Sequence, residues 1–133
     1  MAIECRNVPG FSEPVGFSHI SIAPPGRIVH LAGQPGVNAD GTYPKGLAAQ
    51  TERAALNFAT ALEAAGATPD DLVKLTILVV GWNESMTAEL FEGIIAAAAV
   101  KPLPPVPTTM HGVQALFEDA MLVEIEGVAV ISS

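Results

Sequence analysis

The sequence predicts an α+β domain with the element order ββαβαββ, on three observations. The apolar period is two residues on the N-terminal side of Gly46 and helical on the C-terminal side. Two long helical patterns alternate with short β-rich runs, and the last two runs are β-rich with no helix between them. Four prolines in six positions, Pro102, Pro104, Pro105 and Pro107, separate the second helical pattern from those final strands. Proline lacks the amide donor and fixes φ, so this stretch is extended and cannot be helical.

FSHISIA (17–23) and RIVHLAG (27–33) are β-rich runs joined by the turn PPG, and they predict a hairpin. QPGVNADGTYPKG (34–46) carries Gly, Pro, Asn and Asp at turn spacing and predicts a loop. In 47–66, Leu47, Thr51, Ala54, Phe58, Ala61, Leu62 and Ala65 share one helical face, and Gly66 is a natural residue just past the end. TPDD (68–71) is a short capped turn. LVKLTILVV (72–80) is a strand with Val73, Leu75, Ile77 and Val79 on one face. Residues 83–100 form a second helix, with an apolar stripe of Leu90, Ile94, Ala97 and Ala98. Residues 108–116 and 121–131 are the closing strands, with FEDA (117–120) as the turn. Both helices are expected on one face of a mixed sheet.

The chain has 133 residues, the length of one domain. Half of them are hydrophobic, only 15% are charged, and the mean hydropathy is +0.42. Two helices cannot hide this much apolar surface, so the other sheet face is expected to meet another subunit. No apolar run reaches the roughly 18 residues of a membrane span. The net charge of −8, with six Lys plus Arg, argues against nucleic acid as a partner. A single cysteine, Cys5, and no signal-peptide pattern are the features expected of a cytoplasmic protein.

The histidines His19, His30 and His111 stand in no metal-ligand spacing, so no metal site is expected. His30 lies inside a strand and reads as a core or interface residue. His19 and His111 lie near strand starts, where side chains reach clefts. GQPG (33–36) is either a plain turn or a place where a ligand approaches the backbone. Glu124 and Glu126 point to one face, opposite Val123 and Ile125. They are either solvated or, in a cleft, able to position a water. Ser18, Thr108 and Thr109 are nucleophile types without His–Asp partners in view, so a covalent triad is not expected.

Taken together, FSHIS, AGQPGV with its DG turn, AAQTERAALNFATALEAAGATPDDLVKLTILV, the proline-led TTMHGV and the closing LVEIEGVAV resemble the Rid (YjgF) family. These are reactive-intermediate deaminases, also described as endoribonuclease L-PSP proteins. The resemblance runs from about Phe17 to Val130. It implies a chorismate-mutase-like fold and a homotrimer whose three sheets make a barrel-like core, with clefts between neighbouring subunits. It also implies hydrolysis of enamines and imines without metal or cofactor. The deaminase branch pairs the substrate carboxylate with an arginine on the fifth strand, a role suited to its planar fork. Counting back without a gap from Ala115 and Leu116, that position is Thr108; with a gap of one residue it is Pro107. The family tyrosine is Phe17 here, and an asparagine of the second helix falls near Ala88. Glu124, which the resemblance makes the residue that positions water, is kept, as are Gly33 and Gln34.

The resemblance therefore implies a family cleft without its carboxylate clamp, so 2-aminoacrylate is not the expected substrate. Phe17, Ser18, His19, Gly33, Gln34, Thr108, Thr109 and Met110 are the expected binding residues, with Glu124 and His111 catalytic. Two functions are compatible with this set. One is hydrolysis of a small imine, enamine or related C–N compound. The other is a non-catalytic trimer that binds a small metabolite or a protein partner.

Overall fold

The computed structural model describes residues 3–133. In chain order the elements are β1 (Glu4–Arg6), β2 (Ile20–Ile22), β3 (Gly26–Pro35), α1 (Leu47–Ala64), β4 (Leu72–Val80), α2 (Thr87–Ala98), β5 (Thr108–Val113) and β6 (Val123–Ser132). A four-stranded sheet has the order β3-β6-β4-β5, and β1 and β2 form a separate pair. Only β4 and β5 run parallel, joined by the crossover through α2. The architecture is the expected α+β layer of two helices on one face of a mixed sheet.

The predicted hairpin of 17–23 with 27–33 does not form. β2 pairs antiparallel with β1, in register Cys5↔Ser21, and β3 pairs with β6. Strand-forming residues and a turn between them do not choose a partner. β6 offers β3 a long run of register, from Gly26↔Ser132 to Leu31↔Gly127, and that pairing wins. The β2 segment is instead tied to the start of β4, where the Ser21 hydroxyl donates to the Val73 carbonyl at 2.6 Å.

Helix boundaries follow local chemistry. α1 stops at Ala64, and Gly66 takes φ +81° just beyond the end. Asn83 caps a 3-10 turn, Glu84–Met86, so α2 begins later than the sequence pattern suggests. The proline run after α2 is held by its carbonyls. Pro107 accepts from the Leu75 amide at 3.0 Å, and Pro105 accepts from the Ser18 hydroxyl at 2.5 Å.

Alternation on β6 sorts the molecule into two sides. Val123, Ile125 and Ala129 are buried toward the helices, whereas Glu124, Glu126 and Val128 face away. The core under the helices contains Phe58, Leu62, Leu72, Val79, Val106 and Val123, all fully buried. Each contributes about 1.5–3 kcal/mol of transfer free energy. Phe58 reaches the sheet because Gly127 has no side chain: a Cβ there would lie 2.8 Å from Phe58 Cζ. The two helices meet equally closely at Gly93, where a Cβ would lie 2.4 Å from the Ala48 carbonyl oxygen.

That contact is with backbone and cannot swing aside. Gly93→Ala is expected to destabilise the fold by about 1–3 kcal/mol through overpacking. Urea denaturation measures it; an unchanged midpoint would contradict this helix crossing.

Candidate functional site

The face of the sheet away from the helices carries the polar residues singled out in the sequence. Glu124 stands opposite Leu78 of β4, and Leu78 stands beside His111 of β5. The three form one row on one face. Two strand spacings separate Glu124 from His111, about 10 Å, so the two do not touch within one chain. The next row is Glu126, Thr76 and Thr109. Lys74, on the same face, donates from Nζ to Thr109 Oγ1 at 2.6 Å.

Gly33 lies within the irregular pairing between Leu31 and Gln34 of β3. A Cβ on Gly33 would lie 2.8 Å from both Cδ and Oε2 of Glu124. The glycine thus leaves room for the Glu124 carboxylate to lie over the β3 backbone. Gln34 turns back on its own strand, donating from Nε2 to the Ala32 carbonyl at 2.9 Å. No ion pair involves Glu124 among the described residues.

Two loops frame this carboxylate, and a residue of α1 binds them together. Gln50 is buried on the helix, 3% exposed. Its Nε2 donates to the carbonyls of Pro44 (3.2 Å) and Ala120 (3.0 Å), and its Oε1 accepts from the Leu122 amide at 2.9 Å. Asn57 does the same for the start of the first loop, donating to the carbonyls of Pro35 and Val37. The clasp brings Tyr43, the single tyrosine of the chain, to Glu118. The Tyr43 hydroxyl donates to Glu118 Oε1 at 3.4 Å. Burial raises the Tyr43 phenol above its ordinary 10.0, and the charges of Glu118 and Glu124 add to this. Sequence reading missed Gln50, Tyr43 and Glu118. The available signal was a glutamine one turn from Leu47 on an otherwise apolar helical face.

The other expected site residues lie elsewhere in the chain. Thr108 and Met110 alternate with Thr109 and His111, so they point toward the helices. Thr108 Oγ1 donates to the Val106 carbonyl at 2.9 Å, and Met110 packs against the core. Ser18 is buried and fastened to Pro105. His19 accepts the Val8 amide at Nδ1 (2.9 Å), with Phe11 and Phe17 edge-on at 5.5 and 6.2 Å between centroids. Phe17, Ser18 and His19 thus secure the N-terminal segment and are not brought to Glu124 within one chain. Among the described residues, no three His, Cys, Asp or Glu side chains gather as a metal site. Among the same described residues, no helix is long and apolar enough to cross a membrane.

The family model for endoribonuclease L-PSP matches residues 12–131. The chain belongs to this family, which includes the Rid and YjgF proteins. A Rid-family protein of unknown function, YyfB from Yersinia pestis, is 34% identical with a TM-score of 0.86, over 98% of this chain and 100% of that one. Rv2704 from Mycobacterium tuberculosis is 30% identical with a TM-score of 0.60, over 98% and 100%. The YjgF gene product of E. coli is 27% identical with a TM-score of 0.66, over 93% of each chain. Among curated proteins none matches.

Removing the clasp is expected to be costly. Gln50→Ala leaves the Leu122 amide without its partner and should lower stability by about 1–3 kcal/mol. Chemical denaturation measures the loss; a change under a few tenths would show that the loops hold without it. The Tyr43 titration is readable alone, because no other residue forms a phenolate. A phenol raised in the folded state holds its proton more tightly there than in the unfolded chain. Its contribution to stability is therefore complete below the ordinary tyrosine value and is lost as pH rises through the raised one. Phenolate absorbance should give a midpoint above 10.0 that moves down in Glu118→Gln. An unmoved midpoint would contradict the Tyr43–Glu118 contact.

Proposed function

We propose that the protein is a Rid-like homotrimer that hydrolyses a small imine, enamine or related C–N compound other than 2-aminoacrylate, at clefts that include Glu124. The observation that carries this reading is the Glu124 carboxylate seated over Gly33 and, among the described residues, paired with no cation. A carboxylate held in place but free of an ion pair is suited to orient a water and take its proton.

In this reading the imine enters protonated, and water adds to the C=N carbon while Glu124 accepts one of its protons, leaving a neutral carbinolamine. Glu124 returns that proton to the nitrogen and then takes the hydroxyl proton as the C–N bond breaks, so ammonia or an amine departs and a carbonyl product remains. His111, across Leu78 in the same row, meets the far end of the substrate or a proton on it. Thr109, fixed by Lys74, contributes a hydroxyl on the same face. Phe17, Ser18, His19, Thr108 and Met110 enter the cleft only through a neighbouring copy or by shaping its walls.

The charge around Glu124 limits the substrate class. Glu118, Glu124 and Glu126 are acidic, and none of the three arginines (Arg6, Arg27, Arg53) lies on β5 or β6. A substrate without its own carboxylate suits such a face, and a protonated imine is favoured over an anion.

The oligomer is a second part of the proposal. Ile28 is 65% exposed on the uncovered face, and Leu78, Val80 and Val128 are half-buried there. A sheet face of this kind is suited to association with copies of itself. Light scattering should give about three times the 13.7 kDa chain mass; a monomer at micromolar concentration would remove the cleft.

The activity is tested by ammonia release from imines generated in solution, with wild type and Glu124→Gln. The variant should lose about 10²-fold or more in kcat while retaining its fold. Turnover unchanged in Glu124→Gln would overturn the role of Glu124. Saturable binding of these compounds without turnover in the wild type would support a metabolite-binding trimer instead.

A further inference from the structure

A cavity lies between the helices and the sheet, on the opposite side of the sheet from Glu124. Its volume is about 120 Å³. Leu75, Ile77 and Ile125 form its floor, and Ala55, Ile94 and Ala97 form its roof. The void has a plain origin in the sequence. The run IIAAAAV places alanines over Leu75 and Ile77, where larger side chains would close the gap. Leu75 and Ile77 accordingly remain 9% and 7% exposed, while Phe58, Leu62 and Val79 in the same layer are at 0%.

An apolar void lacks partner atoms on one side and gains dispersion contacts when filled. An engineered cavity of about 150 Å³ with similar lining stays dry and takes up benzene or xenon. The space here accommodates an apolar group of about four to six carbons on the same scale.

Two polar residues join the lining, Lys101 and Thr108, and Lys101 is its one cation. Lys101 Nζ contacts Glu63 Oε1 at 2.9 Å, with the lysine side chain 37% exposed. An ammonium has three donors, so the ion pair leaves capacity for a second acceptor. Thr108 gives its proton to the Val106 carbonyl, so toward the cavity its hydroxyl offers only lone pairs. The charged recognition therefore falls to Lys101.

We propose that this cavity binds the aliphatic chain of a small monocarboxylate, with the chain between helices and sheet and the carboxylate on Lys101. Glu63 competes with the ligand for the ammonium and sets the affinity. This site lies within one chain on the helix side of the sheet, and Thr108 is the one residue it shares with the reaction proposed at Glu124.

The test is a methyl NMR titration of the intact protein with benzene as an uncharged probe and pentanoate as a charged one. Both should shift the methyl signals of Leu75, Ile77, Ile94 and Ile125. Lys101→Met should weaken pentanoate about tenfold or more, the loss of one charge-assisted contact, and leave benzene unchanged. Glu63→Gln should tighten pentanoate severalfold by removing the competitor. Ala98→Leu adds bulk at an exposed residue of the lining and should weaken both probes. Absence of methyl shifts with both probes would overturn the site, and equal pentanoate affinity in Lys101→Met would overturn the assignment of the carboxylate. These shifts do not depend on Glu124, so loss of the proposed hydrolysis in other experiments leaves this test intact.

Discussion

The alternation along β6 is the constraint on which the rest of the molecule depends. This strand lies between β3 and β4, so its register sets both neighbours. A slip of one residue would turn Glu124 and Glu126 into the helix layer and Val123 and Ile125 out of it. Burying two unpaired carboxylates is far more costly than any local preference gained. Gly127 strengthens the same choice, because only its missing side chain admits the Phe58 ring.

From that register follow the two faces of the sheet and their opposite characters. Outward residues of β4, β5 and β6 make an acidic and hydroxyl-bearing face around Glu124. Inward residues of the same strands make a largely apolar pocket capped by alanines. β5 contributes to both, with Thr109 and His111 on one side and Thr108 and Met110 on the other. A proline-stiffened lead-in suits this double duty. Pro105 and Pro107 offer carbonyls at fixed places to Ser18 and Leu75, so the strand starts in one register.

Much of the fold was legible in the sequence. The helix at 47–64 and the strand at 72–80 fell where periodicity put them, because each pattern is long and its ends carry their own stop signals. The N-terminal hairpin was not legible. FSHISIA and RIVHLAG carry strand chemistry, yet partner choice depends on which distant edge offers the longer register. Nothing local to residues 17–33 states that Glu4–Arg6 and Val123–Ser132 are the partners. The site was legible in part. Glu124 and Gly33 were selected separately, and their contact required the β3 irregularity to place one over the other. Gln50, Tyr43 and Glu118 were invisible as a group, because they are linked through hydrogen bonds across 70 or more residues of chain.

What the sequence determined by itself were the quantities carried by neighbouring residues. These are the period of each element, the turn and cap residues, the excess of apolar surface and the absence of arginine from β5. The tertiary structure alone decided which strands pair, which side of the sheet each residue of TTMHGV faces, and which loops meet at the Gln50 clasp. The physical reason is the range of the interactions. Dihedral preference and hydrophobic period act within a few residues and are written in order along the chain. Register, close approach at glycine and a buried glutamine clasp exist only once distant segments are packed together.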